Sequence, residues 1–312
     1  MSSFLLEFWC EKNDFCIYAK AENFEKELRL SGQAKEIVRQ FETIYDTLQD
    51  LKTHKSRELT ETIESLSEQI LAQFADPIKK STLVRIIVYE DLVRCAFDLL
   101  HIDGVPLFLQ RPVCYQVDEG TGEDEAVVEL GSALLIADLT ADPEEACRQV
   151  AALIPNSNYA QMEDADLNMI KAAADEVDVL VISAHGDLEA NNRGSLGLND
   201  ETLKASLVSK LEAWVIYFDS CQQGANMDYL EALQEKSDAQ FYLAPIISND
   251  AGDSSTKTMV WFFKAILQHK NPIRGLFETR KRLYNYYQGE EKLDLVTTLN
   301  KAFAFRLYEF VD

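Results

Sequence analysis

Two runs of almost unbroken apolar residues, Val177-Asp178-Val179-Leu180-Val181-Ile182-Ser183 and Trp214-Val215-Ile216-Tyr217-Phe218-Asp219-Ser220, constrain this chain more than any other feature. A strand with one wet face alternates apolar and polar residues. A strand apolar on both faces must be covered on both, which is the situation of a parallel sheet between layers of helix. Two further runs, SALLIADL (132–139) and FYLAPIIS (241–248), read the same way. Helical patterns lie among them at Pro143 to Leu153, Asp164 to Ala174, Glu201 to Leu211 and Ser254 to Gln268, then at Pro272 to Tyr287 and Lys292 to Tyr308. Strands alternating with helices predict an α/β fold built on a mostly parallel sheet, with ligands and chemistry beyond the carboxyl ends of the strands.

The first part of the chain differs. FLLEFWC and DFCIYAKA, parted by Glu11-Lys12-Asn13, predict a β-hairpin. Ile37, Phe41, Ile44, Tyr45 and Leu48 recur at helical spacing, as do Leu59, Ile63, Leu66, Ile70 and Leu71, so two amphipathic helices follow. Asp76-Pro77 closes the section, which divides the chain into residues 1–78 and 79–312. The first unit is either an integral layer of the domain or a docking and regulatory surface, and its helix pair does not recur as a repeat. LVRIIV, the turn HIDGVP and VCYQV then form a strand-rich stretch, ended by the acidic loop Asp118 to Glu125.

Composition narrows the partners. The net charge of −23, from 30 basic and 53 acidic residues among 312, repels nucleic-acid phosphates and anionic membrane and favours basic partners. No apolar run approaches the roughly 20 residues of a membrane-spanning helix. MSSFLLEFWCEKND lacks the basic start of a secretory signal. Six cysteines (Cys10, Cys16, Cys95, Cys114, Cys147, Cys221) are scattered without Cys-x-x-Cys spacing, and His54, His101, His185 and His269 add no zinc pattern. A reducing, cytoplasmic setting with free thiols is expected, with five of the cysteines acting as small core hydrophobes.

The two defining strands end in reactive side chains. The first is followed by Ala184-His185-Gly186-Asp187, the second by Cys221-Gln222-Gln223-Gly224. With one helix between them the strands are expected to be parallel neighbours, so both side chains emerge at one sheet edge. A thiol beside an imidazole is the arrangement thiolate catalysis needs: the ring stabilises the thiolate and later protonates a leaving amine. Gly186 lets backbone approach a substrate, and its N–H with that of Cys221 can form an oxyanion hole. A helix predicted from Ala225 to Glu235 would add its dipole.

These motifs, HG after one apolar strand and DSCQQG after the next, resemble the clan of caspases, metacaspases and separase. The segment Ala244 to Met259, an apolar strand, an acidic loop and then Thr258-Met259 before Phe262-Phe263, is similar to the CHAT branch, as is the stretch LVRIIV to VCYQV. The resemblance spans about Lys80 to Asp312. It implies a caspase-like peptidase fold with His185 as general base and acid, Cys221 as nucleophile, peptide-bond hydrolysis, and neither metal nor other cofactor. It further implies a regulated enzyme making limited cuts in a partner protein in bacterial signalling or antiviral immunity and cell death, switched on by a partner or ligand. The repeat array common in that branch is absent from the sequence.

Asp219 lies about 7 Å from Cys221 along an extended strand end and on the same face. A buried carboxylate there would receive an Arg or Lys preceding the scissile bond; metacaspase-like relatives carry Asp at this position. Asp219 could instead cap a helix. Asp250 and Asp253 could line the same pocket or cap the next helix, and the cap reading is the simpler. Trp214, Trp261, Phe262 and Phe263 read as core, and Arg280-Lys281-Arg282 as a solvated helical face, or else a docking or self-cleavage site. The alternative is a catalytically silent scaffold with the same fold, against which the intact HG and DSCQQG argue; a transpeptidase would use the same residues.

Overall fold

A computed structural model describes residues 3–117, 127–173, 176–199, 201–237, 239–248 and 251–310. Three antiparallel strands open the chain: β1 (Ser3–Glu11), β2 (Asp14–Ala21) and β3 (Phe24–Leu30). The hairpin is thus extended by a third strand, FEKELRL, whose charges mark it as an edge. Helices α1 (Ala34–Gln49) and α2 (Ser56–Ile70) follow as their periodicity predicts, burying Ile37, Phe41, Ile44 and Leu48 and then Leu59, Ile63, Leu66 and Ile70. Short α3 (Ala75–Lys80) leads into β4 (Leu83–Val88), which pairs in parallel with β1 from Ser3↔Leu83 to Phe8↔Val88. The N-terminal strands are therefore hydrogen-bonded directly into the main sheet.

A two-residue ribbon, β5 (His101–Ile102) with β6 (Val105–Pro106), and α4 (Leu107–Gln110) precede β7 (Val113–Gln116). Beyond lie β8 (Ala133–Ala137), α5 (Ala146–Ala151), β9 (Ser157–Gln161), α6 (Leu167–Ala173) and β10 (Val179–Ser183). A three-stranded sheet of β11 (Gly186–Leu188), β12 (Gly194–Leu198) and β13 (Glu201–Leu203) sits directly after His185. Then come α7 (Ala205–Val208), β14 (Val215–Asp219), α8 (Met227–Lys236), β15 (Phe241–Pro245), α9 (Asp253–His269), α10 (Pro272–Asn285), a π-helical turn at Tyr286–Glu290, α11 (Leu295–Phe303) and β16 (Phe305–Glu309).

Among the described residues the main sheet has eleven strands in the order β3-β2-β1-β4-β7-β16-β15-β14-β10-β8-β9. It is mostly parallel, as expected. One parallel block runs through β1, β4, β7 and β16, another through β15, β14, β10, β8 and β9, and the two meet antiparallel at β15–β16. β10 and β14 are parallel neighbours in the register Val179↔Val215 to Ser183↔Asp219, so their carboxyl ends finish level.

Several local expectations are corrected. Residues 201–211 hold β13 and a single turn of helix. Residues 305–309, read as the end of a helix, form a strand in the middle of the sheet. FRLYE lacks a strand-like apolar run because two of its positions are charged. Their charges are met inside: Glu309 binds the Arg85 guanidinium at 2.8 Å, and Arg306 donates to the carbonyls of Val93 and Cys95 while lying 3.9 Å from the Tyr115 ring centre. The Arg280-Lys281-Arg282 run is a solvated face only in part: Lys281 is half-buried and Arg282 exposed, whereas Arg280 turns inward. Arg280 is buried against Asp98 at 2.7 Å, and Arg282 stacks on Trp261 at 3.8 Å. Phe262 and Phe263 are core, but Trp214 is exposed at the start of β14. Among the described residues no helix is long and apolar enough to cross a membrane.

Candidate active site

The level ends of β10 and β14 are stitched together before either reactive residue is reached. The Ala184 N–H donates to the Asp219 carbonyl at 3.2 Å, and the Ser220 hydroxyl donates to the Ala184 carbonyl at 2.6 Å. His185 and Cys221 then project into one small cleft of about 60 Å³, lined also by Ala141, Ala184, Asp219, Ser220, Ala251 and Ser255. His185 is exposed and Cys221 half-buried, so the cleft is open to a substrate. A thiol and an imidazole in one cleft can exchange a proton, which is the first requirement for a nucleophilic thiolate.

The loop carrying Cys221 is tightly determined. Gln222 takes a left-handed conformation, with φ of 61°, and turns the chain sharply out of the strand. Gln223 is fully buried. Its amide donates to the Asp187 carbonyl at 3.2 Å, and its side-chain oxygen accepts from Asn226 at 2.7 Å. The Gln223 and Gly224 carbonyls accept from the Tyr242 and Tyr308 hydroxyls at 2.9 and 2.6 Å. A β-carbon on Gly224 would lie 2.4 Å from the Ala244 carbonyl oxygen, which is why no side chain is possible there. Gly186 is under a related demand, since its β-carbon would come within 2.8 Å of the Gln223 amide and 3.1 Å of Ser220. Its absence lets the backbone after His185 lie flat on the Cys221 loop. Helix α8 starts at Met227, capped by Asn226, with a 3₁₀ turn over Gln223–Ala225 before it. The helix expected from Ala225 to Glu235 is thus present, starting two residues later, and its first residue is six positions beyond Cys221, past the one-turn range of its dipole.

Asp219 lines the cleft, nearly buried, and its carboxylate accepts from the hydroxyls of Ser183, at 3.1 Å, and Ser255. Asp253 occupies the first turn of α9, ion-paired with Lys257 and accepting from the Tyr287 hydroxyl at 2.8 Å; the cleft lining on that side comes from Ala251 and Ser255. Asp250 lies outside the described residues.

Thr140 and Asp138 were not singled out in the sequence. They follow β8, the strand next to β10. The Thr140 hydroxyl is 2.9 Å from His185 Nε2 and donates to Asp138 Oδ1 at 2.7 Å, an oxygen that also accepts from the Thr140 N–H. The available signal was positional: Asp138 closes a third apolar strand at the reactive edge of the sheet. Helix α1 also reaches the site. Gln49 accepts from the Ser248 N–H at 2.6 Å, Ser248 faces the Gln222 amide at 3.4 Å, and Tyr45 lies near enough to Cys221 for their charges to interact. Burial pushes the Tyr45 phenol up, opposed by the Arg94 guanidinium 5.3 Å from its ring centre.

The remaining cysteines are chemically quiet. Burial, aided by Asp91, pushes the Cys10 thiol up to about 12, and burial raises Cys16, Cys95, Cys114 and Cys147 as well. Among the described residues no three His, Cys, Asp or Glu side chains converge as a metal site would require.

No protein-family model matches the chain, and no curated protein matches it in sequence. Among solved structures it is similar to Saccharomyces cerevisiae separase in its complex with securin. That similarity covers 99% of this chain and 30% of that one, at 9% identity and a TM-score of 0.55. At that identity the likeness concerns architecture: this chain has a caspase-like fold of the kind found in separase.

Proposed function

We propose that this chain is a cysteine endopeptidase in which Cys221 is the nucleophile and His185 the general base and acid. The observation that carries the reading is that both side chains enter one cleft from the level ends of adjacent parallel strands. The Cys221 thiolate attacks the scissile carbonyl, and the N–H groups of Gly186 and Cys221 receive the oxyanion. The His185 imidazolium gives its proton to the leaving amine. Water, deprotonated by His185, then releases the acyl group and restores the thiol. Asp219, at the floor of the cleft, is the proposed determinant for Arg or Lys before the cut, since a partly desolvated carboxylate favours a guanidinium or ammonium. Asp253, held by Lys257, serves α9 in this reading.

The resemblance to the CHAT branch favours a regulated enzyme that makes limited cuts in a partner protein, in bacterial signalling or antiviral immunity. Six cysteines without a disulfide fit a cytoplasmic setting. Separase was solved in complex with securin, which agrees with a protein partner or substrate for this chain. Residues 1–78 are proposed as an integral layer that also offers a regulatory surface, because α1 touches the loop beside Cys221 through Gln49 and Ser248. The other reading is a silent scaffold. The pinning of the Cys221 loop by Gln223, Tyr242 and Tyr308 favours the enzyme.

The test is digestion of a peptide library and of candidate partner proteins, with and without prior alkylation. Cleavage after Arg or Lys that alkylation abolishes is expected. Absence of cleavage under every activating condition tried would leave the scaffold reading.

A further inference from the structure

Resting on the peptidase reading, we propose that Thr140 and Asp138 are positioning residues that set the tautomer of His185, making Nδ1 its basic nitrogen. The argument is a count of protons. Thr140 Oγ1 has one hydrogen and two close partners, Asp138 Oδ1 at 2.7 Å and His185 Nε2 at 2.9 Å. An ionised carboxylate only accepts, so the hydroxyl hydrogen goes to Asp138. Toward His185 the same oxygen can then only accept, and Nε2 must carry the ring's hydrogen. In the neutral imidazole this leaves the lone pair on Nδ1.

The arrangement also acts after proton transfer. When the Cys221 S–H bond breaks and its proton forms an N–H bond at Nδ1, the products are a thiolate and an imidazolium. The cation's Nε2–H already donates to Thr140, whose O–H donates to Asp138, so the positive charge faces a carboxylate through one hydroxyl. Thiolate and imidazolium are both favoured. Other ionisable groups near the ring are Asp219 and Cys221 at the end of β14 and Asp187 on its own segment; Tyr45, with the Arg94 guanidinium 5.3 Å from its ring centre, lies near Cys221. The Asp138 end of the relay is held through both of its backbone groups. The Asp138 N–H donates to the Ser183 carbonyl at 2.8 Å, and the Asp138 carbonyl accepts from Ala141 and Asp142, so the loop after β8 keeps its place whatever stands at 140.

Thr140 is exposed, which makes Thr140→Val a mild change to the fold. Full-length protein with ¹⁵N-labelled histidine, the His185 signal assigned by its loss in His185→Gln, reports the tautomer directly. The wild type is expected to show Nε2–H, Thr140→Val a mixture, and Thr140→Ser the wild-type form. In parallel, the rate at which iodoacetamide alkylates Cys221 is followed against pH. Its midpoint is expected to rise by about one pH unit in Thr140→Val and to return in Thr140→Ser. An Nδ1–H tautomer in the wild type overturns the proposal, and so does a Thr140→Val protein unchanged in both readouts. Neither readout depends on a substrate. Expected shifts without any peptide cleavage would therefore uphold the relay and remove the peptidase reading alone.

Discussion

The two halves of the sheet place buried acids in opposite roles. On the β16 side, Asp98 is fully buried; it accepts from the Tyr115 hydroxyl at 2.6 Å and pairs with Arg280, while Glu309 pairs with Arg85. On the β14 side, Asp219 is almost as buried, but its carboxylate is held by the hydroxyls of Ser183 and Ser255 and lines an open cleft. Removing one member of an internal pair leaves a charge stranded in a medium that solvates it poorly, so such pairs secure the native arrangement. A carboxylate held by hydroxyls at a cleft stays ready for a ligand's charge. The same residue type is thus spent on structure in one half and proposed for recognition in the other.

That contrast can be broken at graded strength. The largest effect is expected at the reactive pair: Cys221→Ala or His185→Ala should lower kcat/KM by a factor on the order of 10⁴ or more with the circular dichroism and melting temperature of the wild type. Asp98→Ala should do the reverse. It strands Arg280 and is expected to cost about 3–5 kcal/mol in urea denaturation, while protein that remains folded cleaves normally. Asp219→Asn should reduce cleavage after Arg or Lys by about 10²-fold with little change in stability; an equal loss for all substrates would speak against a specificity role. Gln49→Ala should be the mildest, about 1 kcal/mol on binding, read as a raised KM at near-constant kcat. A complementary measurement uses the thiols. Cys10 keeps its proton until about pH 12, and burial disfavours the other thiolates too. Mass spectrometry after brief alkylation at pH 8 is expected to find the label on Cys221 first, and early labelling at Cys10 would contradict that order.

How much could be read beforehand follows the range of the forces involved. The α/β class was legible because a strand covered on both faces is apolar along its length, and each of 179–183, 215–219 and 241–245 carries that record locally. The adjacency of β10 and β14, and so the meeting of His185 with Cys221, followed from the single connection between them. β16 was missed because Arg306 and Glu309 are tolerable in a central strand only through partners far away in sequence. The small sheet over 186–203 was missed because its strands are three to five residues long and only partly apolar.

By itself, then, the sequence determined the parallel-sheet class, the two strand ends and the meeting of His185 with Cys221 on them, since each is written in neighbouring residues and one short connection. Only the tertiary structure decided what surrounds that pair. It set Thr140 and Asp138 behind His185, brought Gln49 of α1 to Ser248 beside the Cys221 loop, and turned Arg280 from an apparent surface charge into the buried partner of Asp98. These contacts join segments many residues apart. Hydrogen-bond geometry and the cost of burying unpaired charge select them once the chain has closed on itself, and no local pattern records them.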